Sequence, residues 1–183
     1  TGIRRQRQMC IRDRYKGLIM AILISPMIVP LIITAAGMFF FYARINLVYT
    51  FTGVILAHVA LATPFVVITV TATLVGFDMN MVKAAQSLGA KPMRTFFKVI
   101  MPLILPGIIS GALFAFITSF DEVVIVMFMA SIDQLTIPKQ MWAGIRQEIS
   151  PVILCMATCL VLLSIFLLTT VELLIRRSEK LRG

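Results

Sequence analysis

Four long apolar runs, at 17–42, 47–75, 103–130 and 152–175, leave this chain few ways to fold. A helix needs roughly 20 apolar residues to cross about 30 Å of hydrocarbon, and each run exceeds that with length to spare for tilt. The third is interrupted by "SFDE". Short strands of alternating hydrophobicity, the mark of a membrane barrel, do not occur. Of all residues 60% are hydrophobic and 14% charged, against about 25% charged in an average soluble domain. The expected fold is all-α, a polytopic membrane helical bundle.

The formal charge of +9 could suggest nucleic acid, but its placement points to topology instead. Short loops rich in Lys and Arg stay on the cytoplasmic side. Arg4, Arg5, Arg7, Arg12, Arg14 and Lys16 precede the first run; Lys83, Lys91, Arg94 and Lys98 separate the second and third; Arg176, Arg177, Lys180 and Arg182 follow the fourth. The other two connections hold Arg44, and Lys139 with Arg146 offset by Asp133 and Glu148. Cationic connections therefore alternate along the chain, as four successive crossings require. Both ends are expected to face the cytoplasm.

The opening "TGIRRQRQMCIRDR" is no signal peptide, since no apolar region directly follows a short basic start. Its "MCIRDR" looks like translated adapter sequence. Residues 1–14 are accordingly set apart as a non-native or disordered segment, 15–183 are taken as the membrane domain, and a natural chain longer at its N-terminus is expected. Cys10, Cys155 and Cys159 give no disulfide framework. Cys155 and Cys159, four apart in the last run, suit small apolar packing better than a metal. His58, inside an apolar run, reads as a packed, hydrogen-bonded side chain.

The most polar segment between two runs is "KAAQSLGAKPMRTFFKVIMPLILPG", starting at Lys83. Asp78 can cap a helix over 79–88, because its carboxylate accepts free backbone N–H groups. Gly89 supplies the left-handed residue that ends many helices, and Pro92 suits the first turn of the next. The spacing predicts helix, tight turn, helix across 78–101. In the second helix Met93 with Phe97, and Phe96 with Ile100, would meet across one turn, with Arg94 and Lys98 on another face. Ala84 and Ala85 would let another protein surface approach closely. A docking element and a solvated loop anchored at the membrane surface both fit these residues.

The same stretch resembles the E-A-A loop of ABC importer permeases: Glu-Ala-Ala, three residues, Gly, nine residues, Ile, one residue, Leu-Pro. Ala84, Ala85, Gly89 and Pro102 match at that spacing, Val99 stands for Ile, Met101 for Leu, and Lys83 replaces the Glu. The resemblance implies that Lys83, Ala84, Ala85, Gly89 and Pro102 couple the chain to a cytoplasmic ATPase, with Lys83 departing from the motif at that contact. "ISPMIVP", "LATPFVVITVTATLVGFD", "SFDEVVIVMFMA" and "QLTIPKQMWAGIRQEISP" look like the spermidine/putrescine branch of these permeases. That resemblance covers essentially Tyr15 to the C-terminus and implies four spans of a six-span core in a bacterial inner membrane. It also implies an ATPase dimer holding ATP and Mg, a second permease subunit, an extracytoplasmic substrate-binding protein and a polyamine substrate.

Pro26 and Pro30 in the first run, and Pro64 in the second, each remove a backbone donor and predict kinks. In the third run Gly107, Gly111, Ala115, Thr118, Ser119, Asp121 and Glu122 fall within an arc of roughly 160° on a helix. Small residues four apart favour close helix packing. Asp121 would lie about 27 Å along a helix started at Leu103, toward the outer half of the membrane. An Asp at the membrane centre costs roughly 2.5 kcal/mol or more, so such acids face protein or a water-filled cavity. Ser119, Asp121 and Glu122 are candidates for the route of a cationic substrate; the alternative is an ion pair or a hydrogen-bonded cap at the outer helix end. Trp142 suits the membrane interface. By the resemblance, Lys139, Arg146 and Glu148 in the same connection could touch the binding protein, and a solvated loop is the alternative.

No Gly-rich phosphate loop ends in Lys-Ser or Lys-Thr, and no nucleophile or metal motif appears. The chain is expected to bind no cofactor and to hydrolyse nothing itself. A permease subunit of an ABC importer, most plainly for polyamines, is the expected function. A secondary transporter or channel, a permease for another solute, a membrane enzyme and an inactive fragment are the rivals, and dependence on a co-expressed ATPase separates the first of these from the permease.

Overall fold

The computed structural model describes the backbone of residues 2–147 and 150–180, and the side chains of 15–146, 150–170 and 172–173. Glu148 and most cations of the two chain ends therefore lie outside the described side chains. Every regular element among the described residues is helical. Two compact units, Thr1–Gln134 and Leu135–Gly183, make up the chain.

The first unit opens with α1 (Gly2–Ile28) and α2 (Leu31–Arg44). The expected span 17–42 is not one straight helix, because the apolar parts of α1 and α2 meet at a bend of 110°. Pro26 cannot donate to the Ile22 carbonyl, and the Ser25 hydroxyl donates to that carbonyl instead, at 2.8 Å. Pro30 then takes an extended conformation, φ −52° and ψ 131°, and caps α2. Its carbonyl accepts from the N–H groups of Ile33 and Thr34 at 2.9 and 3.1 Å. A kink was the expectation; with two prolines four apart the chain breaks instead.

α3 (Phe51–Val75) begins at Thr50, whose hydroxyl oxygen accepts from Gly53 N–H at 3.0 Å and donates to the Leu47 carbonyl at 2.7 Å. It continues through Pro64 as one helix, and Pro64 is buried. α4 (Met79–Ser87) and α5 (Pro92–Thr95) form the hairpin expected at 78–101. A π-helical segment, Phe96–Ile100, joins α5 to α6 (Met101–Phe120). The π segment ends just before Pro102, whose ring would clash with the Lys98 carbonyl in a regular α-helix, and the wider turn relieves that clash. The expected regular four-residue pairing of Met93 to Ile100 is interrupted there, and Phe96 packs edge-on against Phe97 at 5.2 Å between centroids.

α3 and α6 run antiparallel. Gly107 and Gly111 make the notches for this packing: a Cβ at Gly107 would strike the Thr73 hydroxyl, and one at Gly111 the Thr69 hydroxyl. Both hydroxyls are satisfied within α3, Thr73 donating to Thr69 O and Thr69 to Phe65 O, each at 2.9 Å. Neither hydroxyl is left bare by the close approach. Such packing matters in a bilayer, where lipid tails are as apolar as leucine and helix association rests on van der Waals fit.

The run expected at 103–130 is observed as two helices, since α6 stops at Phe120 and α7 (Val124–Met129) starts anew. α7 is packed in the core of the first unit with Ala35 and Tyr42 of α2 and Ala57 and Leu61 of α3; its Ile125, Val126 and Met129 are fully buried. The turn before α3 is tied to it, Tyr49 N–H donating to Met129 O at 3.0 Å. Tyr49 holds a left-handed φ of 62°, and Gln134 Nε2 donates to its carbonyl at 3.0 Å, so both sides of the strained peptide are fixed.

The second unit holds α8 (Ile137–Gln147) and α9 (Pro151–Lys180). Phe51–Val75, Pro92–Phe120 and Pro151–Thr170 are each long and apolar enough to cross a membrane; the bent pair of α1 and α2 adds a fourth if it acts as one broken span.

Candidate functional site

The antiparallel pair of α3 and α6 separates two polar regions, the α4–α5 hairpin at one end and the α6–α7 break at the other.

Asp78 caps α4 as its sequence requires, its Oδ1 accepting from Asn80 N–H at 2.9 Å. The far end closes through Gly89 at φ +79°. Gly89 N–H donates to Gln86 O at 2.9 Å and Ala90 N–H to Ala85 O at 3.1 Å, the two bonds of a Schellman motif. Pro92 then opens α5, and Thr95, only 2% exposed, donates its hydroxyl to Lys91 O at 3.2 Å. Local bonds thus fix the cap, the turn and the first turn of α5. Lys83 and Ala84 are exposed on α4, Ala85 half-buried, and Gly89 exposed at the turn. Leu88 is 88% exposed and Met93 69%, next to the exposed cations Lys91, Arg94 and Lys98. Apolar tips rimmed by charge suit a protein contact or a membrane surface. Pro102 lies beyond the hairpin in the first turn of α6.

At the opposite end Asp121 is the C-cap of α6, its N–H donating to Ile117 O at 3.1 Å, and it is exposed. Glu122 is only 6% exposed. Its Oε1 accepts from Ile125 N–H at 2.7 Å, so the hydrogen-bonded cap weighed as the alternative is present at Glu122. Ser119, on the α3-facing side of α6, shares a 2.8 Å hydrogen bond with His58 Nδ1. The other ring nitrogen, Nε2, is buried without a hydrogen-bond partner, and the His58 ring interacts electrostatically with Glu122. His58 is packed and hydrogen-bonded as expected; that it joins Ser119 and Glu122 had no sequence signal, because the hydrogen-bonded pair is 61 residues apart. Among the described residues no group of three His, Cys, Asp or Glu side chains could hold a metal.

In the second unit Arg146 lies over the Trp142 ring, 5.9 Å from guanidinium carbon to centroid. Lys139 is half-buried on the same helix. Glu148, the third residue expected at this surface, is outside the described residues.

Comparison with known proteins adds a family and named relatives. The family described as "Binding-protein-dependent transport system inner membrane component" matches residues 9–180. The chain is 30% identical over 168 residues to the spermidine/putrescine transport system permease protein PotC of Haemophilus influenzae, covering 92% of this chain and 65% of that protein. PotC of Escherichia coli strain K12 is 29% identical over 169 residues, covering 92% and 64%. The putrescine transport system permease protein PotI of the same strain is 37% identical over 103 residues, covering 56% and 37%. The chain thus spans less than two thirds of the length of these relatives.

Proposed function

Because the chain belongs to the family of binding-protein-dependent transport system inner membrane components, we propose that it is the membrane-spanning permease subunit of an ATP-driven importer that carries polyamines into the cytoplasm. The hairpin supports this most directly. Its cap, its left-handed Gly89 and its exposed Ala84 and Leu88 give a rigid, small-sided element outside the membrane pair it joins. In the proposed complex a cytoplasmic ATPase dimer, holding ATP and Mg, grips Lys83, Ala84, Ala85 and Gly89. Pro102 joins the gripped hairpin to α6.

Alternating access follows if the ATPase binds two hairpin positions with different affinity, since only differential binding shifts a conformational equilibrium. The hairpin then moves α3 and α6, and the break at their other end changes its access. Asp121 faces the route and draws the ammonium groups of the substrate; Ser119 and Glu122 line it from behind, Glu122 also holding the first turn of α7. A second permease subunit completes the cavity, and an extracytoplasmic binding protein delivers cargo at a surface that includes Lys139, Arg146 and Glu148. The chain acts as a transport subunit in the inner membrane, with the hairpin and both ends cytoplasmic.

The decisive experiment is a membrane pull-down of the full-length gene product with its neighbouring ATPase, comparing the native hairpin with Gly89→Pro. Proline cannot take a φ of +79°, so the Schellman turn is lost while the membrane helices are untouched. Loss of ATPase binding with membrane insertion intact is expected. Equal capture by both forms would leave the hairpin a surface loop and make the channel and secondary-transporter reading the first to test.

A further inference from the structure

α8 has the surface of a helix that lies on a membrane. At about 100° per residue, Ile137, Met141, Ile145, Pro138 and Trp142 fall within about 140° of one another. Lys139, Gln140 and Arg146 occupy the opposite arc. Much of the apolar arc stays open among the described residues: Ile137, Trp142 and Ile145 are 43%, 49% and 52% exposed, and Pro138 and Met141 are half-buried. The contact with α9 is made at the edge of that arc, where a Cβ on Gly144 would come within 2.7 Å of Ile153 Cδ1.

That contact sets the depth of α8. The apolar run of α9 begins at Val152, directly after the polar stretch that ends at Ser150, and continues to Ile175 before Arg176; none of its described residues is buried within the chain. At 1.5 Å per residue it extends about 36 Å, enough to cross about 30 Å of hydrocarbon with some tilt, and its polar-flanked start puts Pro151 at one boundary. Ile153, in the first turn of α9, therefore holds α8 at the level of the headgroups. There the apolar arc meets acyl chains and the polar arc meets water. Arg146 sits at the border between them, its guanidinium over the Trp142 ring, as expected of a cation that covers an apolar surface with its stem and reaches a phosphate with its head.

We infer that α8 is an interfacial anchor, lying in the plane of the bilayer with Ile137, Trp142 and Ile145 among the acyl chains and Arg146 at the phosphates of anionic lipid. Such a helix binds through its buried apolar area and through attraction of its cations to acidic headgroups. The inference rests on α9 crossing the membrane and not on the identity of the transported solute. It takes Arg146 out of the binding-protein surface proposed above and leaves Lys139 on the polar arc, where a binding protein would reach it.

Trp142 is the single tryptophan of the chain, so its fluorescence reports on this helix alone. The chain is reconstituted into vesicles of phosphatidylcholine with phosphatidylglycerol, brominated either near the headgroup end of the acyl chain or near its terminus, with iodide on both sides as the aqueous quencher. The anchor predicts quenching about twofold stronger from the shallow bromines than from the deep ones, and weak quenching by iodide. Ile145→Lys, on the apolar arc, should raise iodide quenching about twofold, while Gln140→Lys, on the polar arc, should change neither measurement. Strong iodide quenching with no effect of brominated lipid would place Trp142 in water and overturn the anchor. Insensitivity to both quenchers in the unsubstituted chain would mean that protein covers the helix, and would overturn it equally.

Discussion

Asp121 and Glu122 are neighbours with opposite surroundings. Asp121 is exposed at the end of α6, whereas Glu122 is buried and receives Ile125 N–H at the start of α7. A carboxylate at a helix N-terminus satisfies a free donor and complements the positive end of the dipole. Glu122→Ala should therefore lower stability by about 1–2 kcal/mol, and Glu122→Gln, which keeps an acceptor oxygen, by clearly less; thermal unfolding of the purified protein in detergent measures both. Equal losses would mean that the charge, and not the acceptor, is what α7 needs. Asp121→Asn should leave that unfolding transition in place but weaken polyamine uptake, with an affinity loss of about tenfold corresponding to about 1.4 kcal/mol. Uptake with unchanged affinity and rate at equal expression would remove Asp121 from the route. In sequence the two acids look interchangeable. What separates them is where α6 stops, and that depends on α7 finding its place beside Ala35 and Ala57, residues remote in the chain.

Helix α6 carries its meaning in glycines. Gly107 and Gly111 admit the Thr73 and Thr69 side chains of α3, while Gly37 of α2 has nothing within 4 Å of the position a Cβ would take. Alanine at these sites should act with opposite sign. Gly107→Ala forces α6 and Thr73 apart and should cost about 1–3 kcal/mol as an overpacked contact, whereas Gly37→Ala should gain up to about 1 kcal/mol from reduced backbone freedom. Unfolding midpoints of the two variants check the contrast, and similar shifts would mean that the notch yields without cost. The small residues four apart, the cap at Asp78 and the turn at Gly89 were all legible in the sequence, because each depends on its own residue type and near neighbours. The consequences of Pro26 and Pro30 were legible only as a kink. The 110° bend is an outcome of how α1 packs on α3 and α2 on α7, which no local pattern carries. The apolar string after Glu122 was ambiguous for the same reason, since the continuation of a span and a separate buried helix are both uniformly apolar.

On the scale of the whole molecule, the proposed function needs the close antiparallel pairing of α3 and α6 to act as a lever. A displacement at Gly89 would then reach the break at Asp121 through helices whose backbones approach closely at Gly107 and Gly111. This transmission needs the hairpin to be cytoplasmic, where ATP is available, and the placement of cations supplies the reason that it should be. Lys83, Lys91, Arg94 and Lys98 are all exposed on or beside the hairpin, and moving such charges to the membrane centre costs about 2.5 to 3.5 kcal/mol each on the insertion scale, which keeps short loops rich in them inside. The connection with Lys139 and Arg146 also has Asp133 and Glu148, and it has fewer cations to retain. Single cysteines at Ser87 and Gln140, in a background freed of Cys10, Cys155 and Cys159, should therefore react with a membrane-impermeant maleimide from opposite sides. Ser87→Cys should label in inverted vesicles and Gln140→Cys in right-side-out ones. Labelling of both from one side would require an even number of crossings between them, and the lever would then lack a membrane across which to act.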